Sequence, residues 1–185
     1  MKIATAAYPL DVLTSWAQYE DKLAHWVAEA AVQGAELLVF PEYAAMELAT
    51  LDGAEVAGDL ERSLFSVSDK LEEADRLHVK LAAEHNVHIV AGSGPAATES
   101  RPVNRARLIT PTGQIGVQDK QIMTRFEREE WGVIGGNALQ VFDTAIGKIG
   151  ILICYDSEFP LLGRALAECD VICVPSVTET LAGYW

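Results

Sequence analysis

Three polar side chains in this 185-residue sequence stand where apolar, strand-forming runs end. Glu42 follows LLVFP, Lys120 closes QIGVQD, and Cys154 follows IGILI. In sheets that are covered by helices, ligands collect beyond the carboxyl ends of the strands. The positions of these side chains therefore allow all three to meet in one pocket.

Together the three side chains suit acyl transfer. A thiolate is the attacking form of cysteine, and a lysine ammonium nearby is expected to lower the pKa of Cys154 from its free value of about 8.5. Glu42 can act first as a base and then as an acid. Lys120 and the backbone N–H of Tyr155 can hold the oxyanion that forms when an amide carbonyl becomes tetrahedral.

Each of these residues also has an ordinary structural interpretation. Cys154 alone would be a core cysteine, since most thiols in proteins are buried. Glu42 could cap a following helix, and Lys120 could be the solvated end of a hairpin. Their joint placement at strand ends gives the catalytic interpretation equal standing with the structural one.

Composition excludes several classes of protein. The formal net charge of −13 repels phosphate backbones and anionic lipids, so we expect no nucleic-acid partner and no membrane-surface partner. No apolar run approaches the ~18 residues that cross a bilayer, and no signal peptide is visible, so we expect a soluble cytoplasmic protein. An odd number of cysteines predicts reduced thiols, with Cys169 and Cys173 filling the core.

The hydrophobic pattern predicts strands that alternate with helices early in the chain and with hairpins later. Strands are predicted at 2–8, 35–40, 87–93 and 170–176, helices at 14–34, 64–85 and 160–168, and hairpins at 105–120 and 138–154. The glycines of AGSGPA (91–96) are interpreted as a turn, because neither a P-loop lysine nor a G-x-S-x-G elbow accompanies them. This order predicts a layered α/β domain with a mixed sheet.

Three segments resemble the signature segments of the nitrilase (carbon–nitrogen hydrolase) superfamily. They are LLVFPEY with Glu42, DKQIMTRFEREEWG with Lys120 and GKIGILICYDSEFP with Cys154, and their order and approximate spacing match. The resemblance runs from Lys2 to the last residue. It implies an α-β-β-α sandwich with mixed sheets, a Glu–Lys–Cys triad, a thioester intermediate and no cofactor.

The resemblance also implies a second glutamate that positions substrate shortly after the lysine. Glu127 is the first choice, and Glu129 and Glu130 remain open. Many members carry an arginine four residues after the cysteine, where this chain has Glu158. This departure leaves the triad intact, but the resemblance then does not indicate which groups contact Asp156.

The expected function is a thiol amidohydrolase that cleaves a small carboxamide to acid and ammonia. The same triad could instead act on a nitrile or an N-carbamoyl group, or pass the acyl group to an amine. A catalytically silent interaction protein on this scaffold is a further alternative. A thiol redox role is disfavoured because no C-x-x-C pair surrounds Cys154. A metal site at His85 and His88 is also disfavoured, because these two residues have no obvious third ligand.

The resemblance further implies that residues 1–185 form a single domain that is incomplete at its C-terminus. We expect the full gene product to be longer, or a second polypeptide to complete the second sheet. A homo-oligomer is also expected, with a small amide or nitrile as the substrate.

Overall fold

The computed structural model describes residues 1–178, in which eight strands form two sheets. The strands are β1 (Ile3–Thr5), β2 (Leu37–Val39), β3 (His88–Ala96), β4 (Val103–Ile109), β5 (Ile115–Asp119), β6 (Val141–Thr144), β7 (Gly147–Ile151) and β8 (Val171–Cys173). The larger sheet has the order β1-β2-β3-β4-β5, and the smaller one has the order β6-β7-β8. Both sheets are mixed, with parallel pairing in β1-β2-β3 and β7-β8 and antiparallel pairing elsewhere.

The helices are α1 (Trp16–Val32), α2 (Ala54–Ala57), α3 (Leu60–His85), α4 (Arg125–Glu129) and α5 (Pro160–Ala165), with 3-10 helices at Ala44–Asp52 and Cys154–Glu158. Three of the helices, α1, α3 and α4, begin at side-chain caps, and α3 ends at the left-handed residue Asn86. Of the two residues that could cap α1, Thr14 and Ser15, the cap is Ser15, which accepts the N–H of Gln18. Helix α3 begins earlier than predicted because Asp59 accepts the N–H of Arg62 at 2.8 Å.

The two faces of the larger sheet bury different partners. One face packs against α1 and α3, and its core includes Leu38, Phe40 and Ile89. The opposite face packs against the smaller sheet, where buried side chains of both sheets meet: Leu37, Val90, Ala106 and Leu108 from one, and Ile149, Ile151 and Cys173 from the other. The alternation of side chains along each strand produces this division.

The outer face of the smaller sheet is approached by the segment that follows α5. A Cβ at Gly150 of β7 would lie 2.9 Å from a methyl group of Leu166 and 3.0 Å from the sulfur of Cys169. The layers therefore run helix, sheet, sheet, helix. Cys173 is buried as predicted, whereas Cys169 is only partly buried against this glycine.

The predicted turn at 91–96 is wrong, because these residues form the second half of β3. The strand changes register between Val90 and Ser93. Gly92 has φ 75°, and a Cβ there would collide with the carbonyl oxygen of Pro41, so a glycine is needed at this bulge. A bulge thus keeps the strand in the sheet while it changes register.

The other predicted elements agree in type with the structure and differ mainly in their ends. Both hairpins form, with Gly113 and Gly147 in positive-φ turn positions. Across residues 1–178, no helix is long and apolar enough to cross a membrane. The same residues bring together no group of three or more His, Cys, Asp or Glu side chains that could hold a metal ion.

Candidate active site

Glu42, Lys120 and Cys154 come from strand ends in both sheets and meet at one place. Glu42 lies just beyond β2, Lys120 follows β5, and Cys154 follows β7. The Nζ of Lys120 lies 2.7 Å from Oε1 of Glu42, and the charges of both groups act on the Cys154 thiol. Only 4% of Glu42 and 0% of Lys120 is exposed, so the interpretation of Lys120 as a solvated hairpin end is wrong.

Glu42 does not cap a helix either. The 3-10 helix that follows begins after Tyr43 and has no side-chain cap. Tyr43 itself is left-handed, with φ 56°, and its N–H donates to Oγ of Ser93 at 3.0 Å. The bulged end of β3 therefore supports the backbone immediately after Glu42.

The Lys120 ammonium is shared between two carboxylates. Its Nζ donates to Oε1 of Glu42 at 2.7 Å and to Oε2 of Glu127 at 2.6 Å. Burial acts to lower the pKa of Lys120, but the two carboxylates outweigh burial and raise it. Lys120 therefore stays charged at neutral pH, and an ammonium has three protons to donate.

Glu127 is the glutamate that the structure places beside Lys120. It lies in the first turn of α4, where Thr124 and Glu127 form a reciprocal capping box. Its Oε1 accepts the hydroxyl of Tyr43 at 2.7 Å. Burial acts to raise the pKa of Glu127, but Lys120 and these hydrogen bonds outweigh it and lower the pKa.

The two alternative glutamates lie elsewhere. Glu129 and Glu130 are both exposed. Glu129 forms ion pairs with Arg125 and Arg128, at 2.7 and 3.0 Å. Among the three candidates, only Glu127 contacts Lys120 in the described structure.

Asn104 of β4 joins the two glutamates and was missed in the sequence. Its Nδ2 donates to Oε1 of Glu42 at 3.1 Å and to Oε1 of Glu127 at 3.0 Å, and its side chain is fully buried. Asn104 shares a face with Ala106 and Leu108, since alternate residues of a strand point the same way. The sequence signal that could have identified Asn104 was a polar residue at an inward-facing position of an otherwise apolar strand.

The expectation that the Cys154 thiol has a lowered pKa is wrong. Burial raises the pKa, and the Glu42 carboxylate raises it further, so together they outweigh the lowering effect of Lys120. Burial, with repulsion from Glu127, also raises the pKa of Glu42 above its ordinary 4.5, although Lys120 acts in the opposite direction. The thiol therefore keeps its proton at neutral pH, and Glu42 is the carboxylate placed to interact with it.

Cys154 sits at a sharp change of backbone direction. Its φ is 49°, in the left-handed region, and it opens the 3-10 helix Cys154–Glu158. Its N–H donates to the carbonyl of Pro175 at 2.9 Å, and its thiol lies 3.8 Å from the carbonyl oxygen of Val177. Tyr155, predicted to supply an oxyanion N–H, follows directly and packs its ring against Phe159.

The contacts around Asp156 are made by the backbone. Asp156 is fully buried and accepts N–H groups of Gln121, Ile122 and Ile153. Glu158, which stands where many relatives have arginine, is exposed.

Comparison with known proteins gives relatives along the whole chain. The carbon–nitrogen hydrolase family model matches residues 2–185. The probable hydrolase YhcX of Bacillus subtilis is 32% identical over 187 residues, which cover 100% of this chain and 36% of that protein. Nitrilase 3 of Arabidopsis thaliana is 31% identical over 179 residues, which cover 87% of this chain and 50% of that protein. The chain thus spans half or less of the length of these curated relatives.

Solved structures share the fold at lower identity. A carbon–nitrogen hydrolase from Helicobacter pylori superposes with a TM-score of 0.75 at 19% identity, over 98% of this chain and 60% of that one. An amidase from Nesterenkonia sp. AN1, a double mutant in complex with acrylamide, gives a TM-score of 0.73 at 20% identity, over 98% and 66%. The predicted nitrilase-type sandwich is therefore confirmed. Since the family model covers nearly every residue, this chain belongs to the carbon–nitrogen hydrolase (nitrilase) superfamily.

Proposed function

We propose that this chain carries the active site of a thiol amidohydrolase, which cleaves a small carboxamide to a carboxylic acid and ammonia. One observation carries the proposal: a buried ammonium shared by two carboxylates acts on a partly buried thiol at a strand end. The relatives support a reaction at a carbon–nitrogen bond, and a protein of the same fold is an amidase.

In the first half-reaction, Cys154 attacks the carbonyl carbon of the amide while its proton passes to Glu42. The raised pKa of Glu42 suits this transfer, because a carboxylate with a higher pKa is a stronger base toward the thiol. The new oxyanion accepts from the third N–H of Lys120 and from the backbone N–H of Tyr155. Glu42 then protonates the departing nitrogen, the C–N bond breaks, and ammonia leaves a thioester on Cys154.

In the second half-reaction, Glu42 is again a carboxylate and removes a proton from water. The resulting hydroxide attacks the thioester carbon, and the same two donors hold the oxyanion. The C–S bond breaks, the sulfur regains its proton from Glu42, and the acid is released. Over the cycle, one amide and one water become one acid and one ammonia.

A nitrile is the second candidate substrate, because nitrilases are among the relatives at about 30% identity. The same thiol would attack the nitrile carbon, and water would complete the cleavage to acid and ammonia. Because the relatives are longer than this chain, we further propose that additional polypeptide completes the fold. We propose separately that the working enzyme is a homo-oligomer. Light scattering coupled to size-exclusion chromatography measures the assembly.

The test is to incubate the purified protein, together with any polypeptide that completes its fold, with a panel of small amides and nitriles and to measure ammonia and intact mass. We expect ammonia from one or more amides and an acyl mass increase that maps to Cys154. The Cys154→Ala variant is the control and should give neither signal. Full ammonia release by that variant would refute the thioester mechanism, and release from nitriles alone would favour the second candidate.

A further inference from the structure

We infer that Asp156 is a positioning residue that holds Lys120 and Cys154 in register across the two sheets. Its carboxylate accepts three backbone N–H groups that belong to two separate segments of the site. Gln121 and Ile122 donate from the segment directly after Lys120, and Ile153 donates from directly before Cys154. The inference rests on the proposed function, since it assigns a task within that reaction.

The environment of Asp156 distinguishes it from an ordinary helix-capping carboxylate. Its side chain is fully buried, and among the described residues its hydrogen-bond donors are all backbone N–H groups. The distance is 2.8 Å from the N–H of Ile122 and 3.2 Å from that of Ile153. Burying a carboxylate without hydrogen-bond donors would cost free energy. While the Asp156 carboxylate is ionised, its hydrogen bonds therefore hold the two segments at it.

The segments that Asp156 joins have no shared strand pairing. Lys120 follows β5 of the larger sheet, whereas Cys154 follows β7 of the smaller sheet. Between the sheets lies an apolar core, which is not directional and does not fix the sliding of one sheet over the other. The hydrogen bonds to Asp156 add a directional constraint between the ends of β5 and β7, beside the bond from the N–H of Gln140 to Gln118 that joins β5 to the start of β6.

Register matters here because the proposed oxyanion donors come from both segments. Lys120 would supply one donor, and the backbone after Cys154 would supply the other. A misplacement of about 1 Å can reduce the rate by about 10²-fold even when every group remains present. Asp156 touches no reacting atom, so its contribution acts through Lys120 and Cys154.

The variant Asp156→Asn keeps the size of the side chain but turns one acceptor oxygen into a donor that faces backbone N–H groups. The matched control is Glu158→Gln, which neutralises an exposed acid of the same 3-10 helix. We expect Asp156→Asn to lower kcat by about 10²-fold with little change in KM. Glu158→Gln should leave both parameters unchanged.

A double-mutant cycle separates positioning from a general loss of stability. If Asp156 acts through Lys120, adding Asp156→Asn to Lys120→Ala should cost no more than about a further twofold in kcat/KM. If the loss of kcat/KM in the double variant equals the product of the losses in the two single variants, the inference is overturned. Thermal melts establish which variants are folded, and Asp156→Glu, which keeps the charge, is the second variant if the asparagine form unfolds.

Alkylation of Cys154 by iodoacetamide supplies a readout that needs no turnover. Loss of the register should move the paired Glu42 and Lys120 together away from the thiol. Because Glu42 raises the thiol pKa by more than Lys120 lowers it, the pH midpoint of alkylation should fall in Asp156→Asn and, by less, in Asp156→Glu. An unchanged or higher midpoint in folded variants would overturn the inference. Absence of ammonia release by the complete, unsubstituted protein would instead refute the proposed function, while the alkylation result would still decide the role of Asp156.

Discussion

Glu42 and Lys120 form an ion pair of 2.7 Å that is almost completely removed from solvent, although 78 residues separate them in the chain. Removing one partner of a buried pair leaves an uncompensated charge, which typically costs about 3–5 kcal/mol. Activity and folding must therefore be measured side by side for every variant of this pair.

The first prediction separates the two roles of Glu42. Glu42→Gln should lower ammonia release by at least about 10²-fold, because the general base is lost. The same variant should make Cys154 react faster with iodoacetamide at neutral pH, because the carboxylate that raises the thiol pKa is gone while Lys120 remains. Peptide mass spectrometry measures the alkylation rate. Slower alkylation in a folded variant would contradict this account.

Cys173 is the internal reference for that experiment. It is buried, and burial raises the pKa of its thiol to about 11. Cys154 should therefore be modified before Cys173 in the same sample. Cys169 is only partly buried, but burial and the Glu168 carboxylate raise the pKa of its thiol, so we expect it to react more slowly than Cys154 as well. Preferential modification of Cys169 or Cys173 would count against Cys154 as the reactive thiol.

The second prediction concerns the shape of the Lys120 side chain. Lys120→Ala should lower turnover by roughly 10²–10³-fold, the usual cost of losing an oxyanion donor. Lys120→Arg should also fail, because a planar guanidinium cannot occupy the buried site of a compact ammonium. Lys148→Ala is the control, since this lysine pairs with Glu168 at the surface. Near-normal turnover by the arginine variant would remove the oxyanion role.

A third prediction decides between the candidate second glutamates. Glu127→Gln should lower kcat/KM, because it removes one of the two carboxylates that hold Lys120. Glu129→Gln changes the same chemical group two residues away, where it is exposed, and should leave kcat/KM unchanged. Steady-state ammonia release compares the two. Equal losses in both variants would show that charge in this segment matters in general and that Glu127 has no special place.

The fourth prediction uses the pH dependence of the proposed base. Glu42 accepts a proton only when ionised, and its pKa is raised above 4.5, so kcat/KM should fall with decreasing pH already above that value. Asn104→Leu removes a donor that favours the ionised carboxylate, so the pKa should rise further and the acid limb should shift to higher pH. A pH–rate profile measures the shift. An acid limb that stays in place or moves lower would contradict the role of Asn104.

The positions of Glu42, Lys120 and Cys154 were predictable because each follows an apolar strand, and strand ends are visible in the hydrophobic pattern. Asn104 was not found, because its place depends on the pairing of β4 with β3 and β5. Strand pairing is a long-range property that a local pattern does not contain. The same limit applies to Asp156, because two of its three partners, Gln121 and Ile122, lie more than 30 residues earlier in the chain.

Two expectations failed for physical reasons that local sequence does not reveal. The glycines at 91–96 resemble a turn, but the strand continues because Gly92 forms a bulge against the backbone of Pro41. The thiol pKa was expected to fall beside a lysine, yet burial and Glu42 raise it. Both outcomes depend on what surrounds a residue after folding, and tertiary packing sets that environment.

The left-handed backbone of Cys154 implies that thermal stability and catalytic activity favour different residues at this position. A residue with a Cβ is disfavoured in this conformation, by about 1–2 kcal/mol, whereas glycine adopts it readily. Cys154→Gly should therefore melt at a higher temperature than Cys154→Ala, although both lack the sulfur and neither should turn over. Selection for thermal stability alone would favour glycine at position 154. The cysteine therefore indicates that a less stable backbone is retained here because activity requires the thiol.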